Sequence, residues 1–245
     1  MSGHSKWSQI KRKKQTKDKQ KGNIFSKLSR TITLAVIEGG GITDPENNFK
    51  LRLAIEKAKL ENMPKENIKR AIENGLGPNK ANFKEAIYEA FGPAKIALLI
   101  TAATDNPNRT LSEIRSVLDK NEGKLGVNGS VAYLFKKCGL VIFDKKTVSE
   151  NDIFSFAEKI NAFDIEEDKD NFSVYFPFEN LGRIKDYLGN ISPKETEIDY
   201  KPLSLIRIED KEEANKILKL VDELESLDEV QRVYSNFDIP DEFLN

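Results

Sequence analysis

The sequence predicts an α+β multidomain protein: an N-terminal three-helix domain and two α+β sandwich (ferredoxin-like) domains, one inserted in the other. Three observations carry this. Apolar residues recur at helical spacing between Ile24 and Gly75, punctuated by glycine and proline. From Phe83 the pattern changes to short strand-like runs alternating with helical ones. The last segment, from about residue 205, holds one helix and one strand, too little to fold alone but enough to complete a sheet begun at Phe83. The expected boundaries are a basic arm over 1–22, a helical domain over 23–78, a discontinuous α+β domain over 79–129 and 205–245, and an inserted α+β domain over 130–204.

The first helix carries Ile24, Leu28, Ile32 and Ala35 on one face and stops at Gly39-Gly40-Gly41. After the turn at Asp44-Pro45, Leu51, Ala54, Ile55 and Ala58 share the face of a second helix. Met63-Pro64 restarts the chain with proline at the first helical position, and a third helix with Ile68, Ala71 and Ile72 closes at Gly75. EAIYEAF and AKIALLITAAT, separated by Gly92-Pro93, read as a hairpin. Asn106 caps a helix that opens with Pro107 and runs through Lys120, with Leu111, Ile114 and Leu118 on one side. Beyond the glycine-rich NEGKLGVNGS, the strand-like VAYLF leads through Lys136-Lys137 to GLVIF. A helix over 149–161, strands around 163–176, a helix near 178–189 and a strand near 195–200 complete the inserted block. A helix over 210–226 and the strand EVQRVYSNFDI close the chain.

Charge is segregated along this chain. The first thirty residues hold ten Lys or Arg against the single acid Asp18, a balance of +9, while the whole chain stands at −1, so residues 31–245 carry −10. A near-neutral average hides a cationic arm, centred on GHSKWSQIKRKK, for which phosphate polyanions are the natural partner. The bland alternative is a solvated tail with no partner. Trp7 either stacks on an unpaired base or packs as an apolar anchor under the helical domain.

No run of eighteen apolar residues exists, and the basic start is not followed by the apolar stretch of a secretory signal, so a soluble cytoplasmic protein without a membrane partner is expected. The single cysteine, Cys138, lies in the strand-like YLFKKCGLVIF and reads as a small buried thiol. Catalytic constellations are missing. The only histidine, His4, has no Cys, His or carboxylate cluster beside it in sequence to make a metal site or a triad. Gly39-Gly40-Gly41 lacks the lysine and hydroxyl of a phosphate-binding loop, and the carboxylates of FDIEEDKDN fall at an expected turn between strands, where solvated charge explains them. No enzyme, cofactor, metal or small-molecule substrate is expected.

Thr104-Asp105-Asn106-Pro107-Asn108-Arg109-Thr110 concentrates polar side chains at a strand-to-helix junction. Capping accounts for Asn106 and Pro107 but not for Asp105, Asn108 and Arg109, so capping alone and a surface recognition element both stand. Gly126 and Gly129 either permit tight turns or let a backbone approach closely.

GHSKW at 3–7, GGG at 39–41, LRLAIEKAK at 51–59, NMPKENIKRAI at 62–72, TDNPNRT at 104–110, GSVAYLF at 129–135 and VQRVYSN at 230–236 together resemble the YebC/PmpR family, which includes the mitochondrial translational activator of cytochrome c oxidase subunit I. The resemblance spans the chain. It departs at YEAFGPAKIA, where the family usually has glycines after the strand turn, and at Glu122-Gly123-Lys124, where paired glycines are common. It implies three domains, one helical and two α+β, the last inserted in the middle one. Members are generally described as cytoplasmic DNA-binding transcriptional regulators, and others resemble ribosome-associated translation factors that relieve stalling on proline runs.

The binding residues that this implies are His4, Lys6, Trp7, Lys11, Arg12, Lys13, Lys14 and Arg109 from the matched motifs, with Lys17 and Arg30 from the same cationic stretch. The expected function is a non-enzymatic nucleic-acid-binding regulator of gene expression. A ribosome-bound factor whose arm enters ribosomal RNA is the alternative. An acidic body with no row of base-reading side chains argues against strong sequence-specific DNA affinity from this chain alone.

Overall fold

The computed structural model describes residues 18–78 and 82–243. In chain order the helical part is α1 (Asp18–Glu38), α2 (Phe49–Leu60) and α3 (Lys65–Leu76). There follow β1 (Lys84–Phe91), β2 (Ala97–Thr104), α4 (Pro107–Lys120) and β3 (Lys124–Leu125). Next come β4 (Phe135–Asp144), α5 (Glu150–Lys159), β5 (Asp164–Glu167), β6 (Asn171–Pro177), α6 (Ile184–Leu188) and β7 (Glu195–Pro202). The chain ends with β8 (Ile206–Arg207), α7 (Lys211–Ser226), β9 (Val230–Ser235) and β10 (Phe237–Asp238). It is an α+β protein whose contacts divide it into two compact units, one formed by Lys136–Lys201 and the other by the described residues on either side.

The three helices bury the faces that their apolar spacing marks out. Leu28, Ile32, Ala35 and Val36 of α1 close on Leu51, Ala54 and Ala58 of α2 and on Ile68 and Ala71 of α3, with Ile24, Ile55 and Ile72 at the margin. Each fully buried aliphatic side chain contributes about 1.5–3 kcal/mol. α1 stops where expected, because Gly40 and Gly41 take positive φ (+68° and +87°) and the Gly41 N–H returns to the Val36 carbonyl at 2.8 Å. Asn48 then ties the corner: its Oδ1 accepts the Leu51 N–H at 3.1 Å, capping α2, while its Nδ2 donates to the Ala35 and Ile42 carbonyls.

Three details of this part differ from the sequence reading. α1 begins at Asp18, six residues before Ile24, since the polar residues of its first turns show no apolar period. Pro64 caps α3 from outside, and its carbonyl accepts the N–H groups of Asn67 and Ile68. Gly75 does not end α3, which runs on to Leu76. It is the point where α3 meets α1, and a Cβ there would stand 2.7 Å from the Val36 Cβ.

In the larger unit the sheet has the order β3-β1-β2-β9. β1 and β2 form the expected antiparallel hairpin, in register from Lys84↔Thr104 to Phe91↔Ala97, and β9 brings the C-terminal segment in antiparallel beside β2. Every residue of β2 is buried, as a central strand requires. α4 and α7 cover one face, packing Ile114, Leu118, Ile217, Leu220, Val221 and Leu224 against Leu98, Ile100 and Val233 of the strands.

The unit Lys136–Lys201 has the sheet order β5-β6-β4-β7. β4 and β6 pair antiparallel from Cys138↔Pro177 to Asp144↔Asn171, and Phe143 meets Phe156 of α5 edge-on at 5.2 Å. α5 starts with a capping box, in which Ser149 and Asp152 exchange bonds. The helix expected near 178–189 is instead a 3₁₀ turn over Phe178–Arg183, containing Gly182, followed by the short α6. VAYLF is not a strand throughout: Ala132–Leu134 is a 3₁₀ turn, and β4 begins only at Phe135. The N–H groups that a strand at 131–132 would spend on a neighbour go to the Glu89 carboxylate instead.

Candidate nucleic-acid interface

His4, Lys6, Trp7, Lys11, Arg12, Lys13, Lys14 and Lys17 lie outside the described residues. Arg30 and Arg109 lie within them and are brought to the same buried carboxylate, that of Glu229.

Arg30 belongs to a polar stripe on α1 formed by Asn23, Lys27, Arg30 and Thr31, which the helical period places on one side. Asn23 Nδ2 donates to the Ser226 carbonyl at 3.1 Å, and Lys27 Nζ donates to the carbonyls of Glu225 and, at 2.6 Å, Val230. These include the last carbonyls of α7, groups a helix cannot satisfy by itself, and a cation suits the negative end of its dipole. Arg30 Nη1 reaches the Ala103 carbonyl at 3.4 Å and stands 3.9 Å from Glu229 Oε1, while Thr31 Oγ1 donates to Gln231 Oε1 at 2.8 Å. The helix into which the cationic arm runs is thereby fastened to the end of α7 and the start of β9.

Glu229 is 3% exposed and sits under the TDNPNRT junction. Its carboxylate accepts from Thr104 Oγ1 at 3.0 Å, from Thr110 Oγ1 and from Arg109 Nη2. Arg109 also donates to Asp105 Oδ1 at 2.8 Å, and Asn106 accepts the Arg109 N–H as N-cap of α4. Burial by itself pushes the Glu229 carboxyl up, but the bonds from Thr110, Arg109 and Thr104 outweigh it and hold its pKa below the ordinary value. The bond and charge of Glu229, with help from Asp105, raise that of Arg109 in turn. Asp105 and Arg109, which capping leaves unexplained, are therefore parts of an internal hub, with the Arg109 side chain still 49% exposed.

A second carboxylate organises the other glycine-bearing motif. Glu89 on β1 is buried, and its oxygens accept the backbone N–H groups of Gly129 (2.6 Å), Val131 (2.6 Å) and Ala132 (2.8 Å). Burial raises its pKa, and these backbone donors more than reverse that. Gly126 serves close approach, with its N–H 2.8 Å from the Glu89 carbonyl and a Cβ there falling 2.2 Å from Ser130 Oγ. Gly129 serves the turn, at φ +85°.

Other carboxylates among the described residues are paired. Asp164 and Glu166 both hold Lys201 Nζ at 2.7 Å, Glu167 pairs with Lys145, and Asp168 accepts the N–H groups of Asp170 and Asn171 in the turn between β5 and β6. Burial pushes the Cys138 thiol up to about 12, the behaviour of an inert core side chain. Among the described residues no group of three or more His, Cys, Asp or Glu side chains is placed to hold a metal ion, and no helix is long and apolar enough to cross a membrane. Sequence reasoning missed Glu89, Glu229 and Lys27. The one available signal was Glu89, an acid inside the apolar strand YEAF.

Comparison with known proteins covers nearly the whole chain. Residues 5–78 match the model of the TACO1/YebC protein N-terminal domain, and residues 83–237 match that of the TACO1/YebC second and third domain. A probable transcriptional regulatory protein of Natranaerobius thermophilus is 42% identical, over 100% of this chain and 99% of its own. One of the same description from Aquifex aeolicus is 43% identical, over 100% and 98%. The crystal structure of a conserved hypothetical protein from Aquifex aeolicus superposes with a TM-score of 0.83 at 41% identity, covering 93% of this chain and 94% of that one.

Proposed function

This chain belongs to the TACO1/YebC family, and from that premise we propose that it is a non-enzymatic, nucleic-acid-binding regulator of gene expression whose N-terminal arm grips the phosphate backbone. The observation that carries the reading is the segregation of charge, +9 in the first thirty residues against −10 in the rest. His4, Lys6, Trp7, Lys11, Arg12, Lys13, Lys14 and Lys17 supply the contacts. Arg30 anchors the helix at the end of the arm. Arg109 contributes the part of its guanidinium that Asp105 and Glu229 leave open. The fastening of α1 supports this reading, because it fixes the helix that follows the arm in the sequence. The relatives' description as probable transcriptional regulatory proteins makes DNA the first partner to test.

The test is crosslinking in cells with parallel sequencing of bound DNA and RNA, using the joint replacement of Lys11, Arg12, Lys13 and Lys14 by alanine as control. Discrete promoter peaks that vanish in the variant would assign the protein to transcription. Ribosomal RNA crosslinks lost in the variant would move the protein to translation, and binding unchanged in the variant would remove the arm from the reading. In vitro, contact with about six to ten phosphates gives an affinity that falls about 10³- to 10⁵-fold between about 50 and 200 mM salt.

A further inference from the structure

The segment Gly129–Phe135 is one of the motifs that mark this chain, and the fold explains all but one of its large side chains. Val131 is fully buried, and Phe135 is buried at the start of β4. Leu134 is half-buried, its N–H bonded to the Val131 carbonyl at 2.9 Å and its own carbonyl accepting the Leu203 N–H at 2.8 Å. The backbone between them is clamped, since Gly129, Val131 and Ala132 all donate to Glu89. Tyr133 is the exception, at 69% exposed and with no hydrogen bond or ring contact among the described residues. A buried carboxylate, two glycines and two apolar anchors thus hold a short turn rigid, and what the turn offers to solvent is one aromatic ring.

We propose that Tyr133 is a stacking platform for an unpaired nucleobase of the nucleic acid that the arm holds. The proposal rests on the arm reading and adds to it a contact with a base. Three properties of the turn select this ligand. A single exposed ring matches the face of a single base, and aromatic stacking tolerates any base because each has a π-face. The exposed apolar side chains nearest in sequence and in backbone pairing, Val127, Leu203 and, two residues on, Leu205, are aliphatic. They add far less than the roughly 1,000 Å² that a specific protein–protein contact buries. Because the turn is already ordered and tyrosine has only two side-chain torsions, little conformational freedom is lost when a base lies on it. Paired bases are stacked inside a duplex and do not present that face, so the contact distinguishes single strands from duplex.

The experiment compares four proteins on fluorescent 20-nucleotide probes of one mixed sequence: single-stranded DNA, the same sequence as RNA, and the DNA duplex. The proteins are the wild type, Tyr133→Ala, Tyr133→Phe and the four-residue alanine variant of the arm. Tyr133→Ala should lose about tenfold on single strands by the usual worth of one stacked base, keep its duplex affinity and unfold at the wild-type temperature. Tyr133→Phe should bind like the wild type. Loss on both single strands assigns an unpaired base whatever its sugar, and loss on RNA alone assigns RNA. Unchanged single-strand affinity in Tyr133→Ala overturns the proposal and leaves the ring to a protein partner. An equal loss on duplex overturns it too.

A second readout is independent of affinity. Trp7 is the only tryptophan of the chain, so Tyr133→Trp combined with Trp7→Phe reports from the turn alone. Its fluorescence should be quenched when single strand saturates the protein, and unaltered emission would overturn the stacking. Failure of the arm reading looks different: the four-residue variant would then hold every probe as the wild type does, whatever Tyr133→Ala shows. A wild type that holds none of the probes overturns both.

Discussion

The TDNPNRT junction and the GSVAYLF turn each close over one buried carboxylate, and they do so with opposite chemistry. Glu229 is satisfied by side chains, two threonine hydroxyls and a guanidinium, whereas Glu89 is satisfied by backbone N–H groups. Side chains can find other partners when the carboxylate goes; a backbone folded around it cannot. The comparison also separates what each motif leaves over. At the junction the conspicuous cation, Arg109, is largely committed inward, while at the turn the conspicuous ring, Tyr133, is committed to nothing among the described residues.

The largest expected effect breaks the backbone-satisfied side. Glu89→Ala strands three donors, one of them in the fully buried Val131, and should destabilise the larger unit by about 3 kcal/mol at the usual 1–3 kcal/mol for each buried unsatisfied group, discounted where water reaches Gly129 and Ala132. Urea unfolding followed by circular dichroism measures it. The glutamine at Glu89→Gln does not restore the wild type, because its amide turns donors toward donors. Glu229→Ala comes second, at about 1–2 kcal/mol. Thr110 Oγ1 keeps the Asn106 carbonyl and Thr104 Oγ1, and Arg109 keeps Asp105. If Glu229→Ala proves the costlier, the contrast between the two satisfactions is wrong.

That contrast bears on what a sequence can show. The fold class was legible because helical spacing in 24–75 and the strand-like runs from Phe83 are local patterns, and the core of the helical part is built from the very residues those patterns mark. Asn106 as the cap of α4 was legible for the same reason. The role of Arg109 was not, because its partner Glu229 lies 120 positions away and nothing in LDEVQRV distinguishes that acid from its neighbours. The strand reading of VAYLF failed likewise, since Glu89 claims its N–H groups from 42 and 43 positions upstream. Of the candidate interface, sequence located the charge and the motifs, but not which motif side chains the fold had already used.

Acid titration sharpens the comparison further. Both carboxyls have pKa values held below the ordinary carboxylate value, so both bind a proton more weakly folded than unfolded. Their stabilisation is complete above the unfolded pKa, about 4.3 for glutamate, and is lost as pH falls through the lower folded values. Stability should therefore decline below about pH 4.3, and Glu229→Gln and Glu89→Gln should each flatten that decline. A variant as steep as the wild type would show that its carboxyl does not titrate with folding.

The smallest effect locates strain outside both motifs. At the junction no residue takes positive φ, and in the turn only Gly129 does. Ala94 (φ +55°), Lys95 (φ +59°) and Glu122 (φ +58°) adopt it without being glycine. A left-handed backbone costs a side-chain-bearing residue about 1–2 kcal/mol, and glycine, which escapes that cost, gives back part of the gain through the greater freedom of its unfolded chain. Ala94→Gly and Lys95→Gly should each raise stability by about 0.5–1 kcal/mol, once about 0.5–1 is taken off for glycine's entropy. Glu122→Gly should gain nothing clear, because it also removes the 2.8 Å ion pair with Lys216. The turn at Gly92–Ile96 begins three residues after Glu89, at the same end of β1, so the double variant also asks whether relief there reaches the clamped loop. Additive gains in Ala94→Gly and Lys95→Gly, with the cost of Glu89→Ala unaltered in that background, would make strain and clamp independent. A changed cost would mean that β1 transmits one to the other.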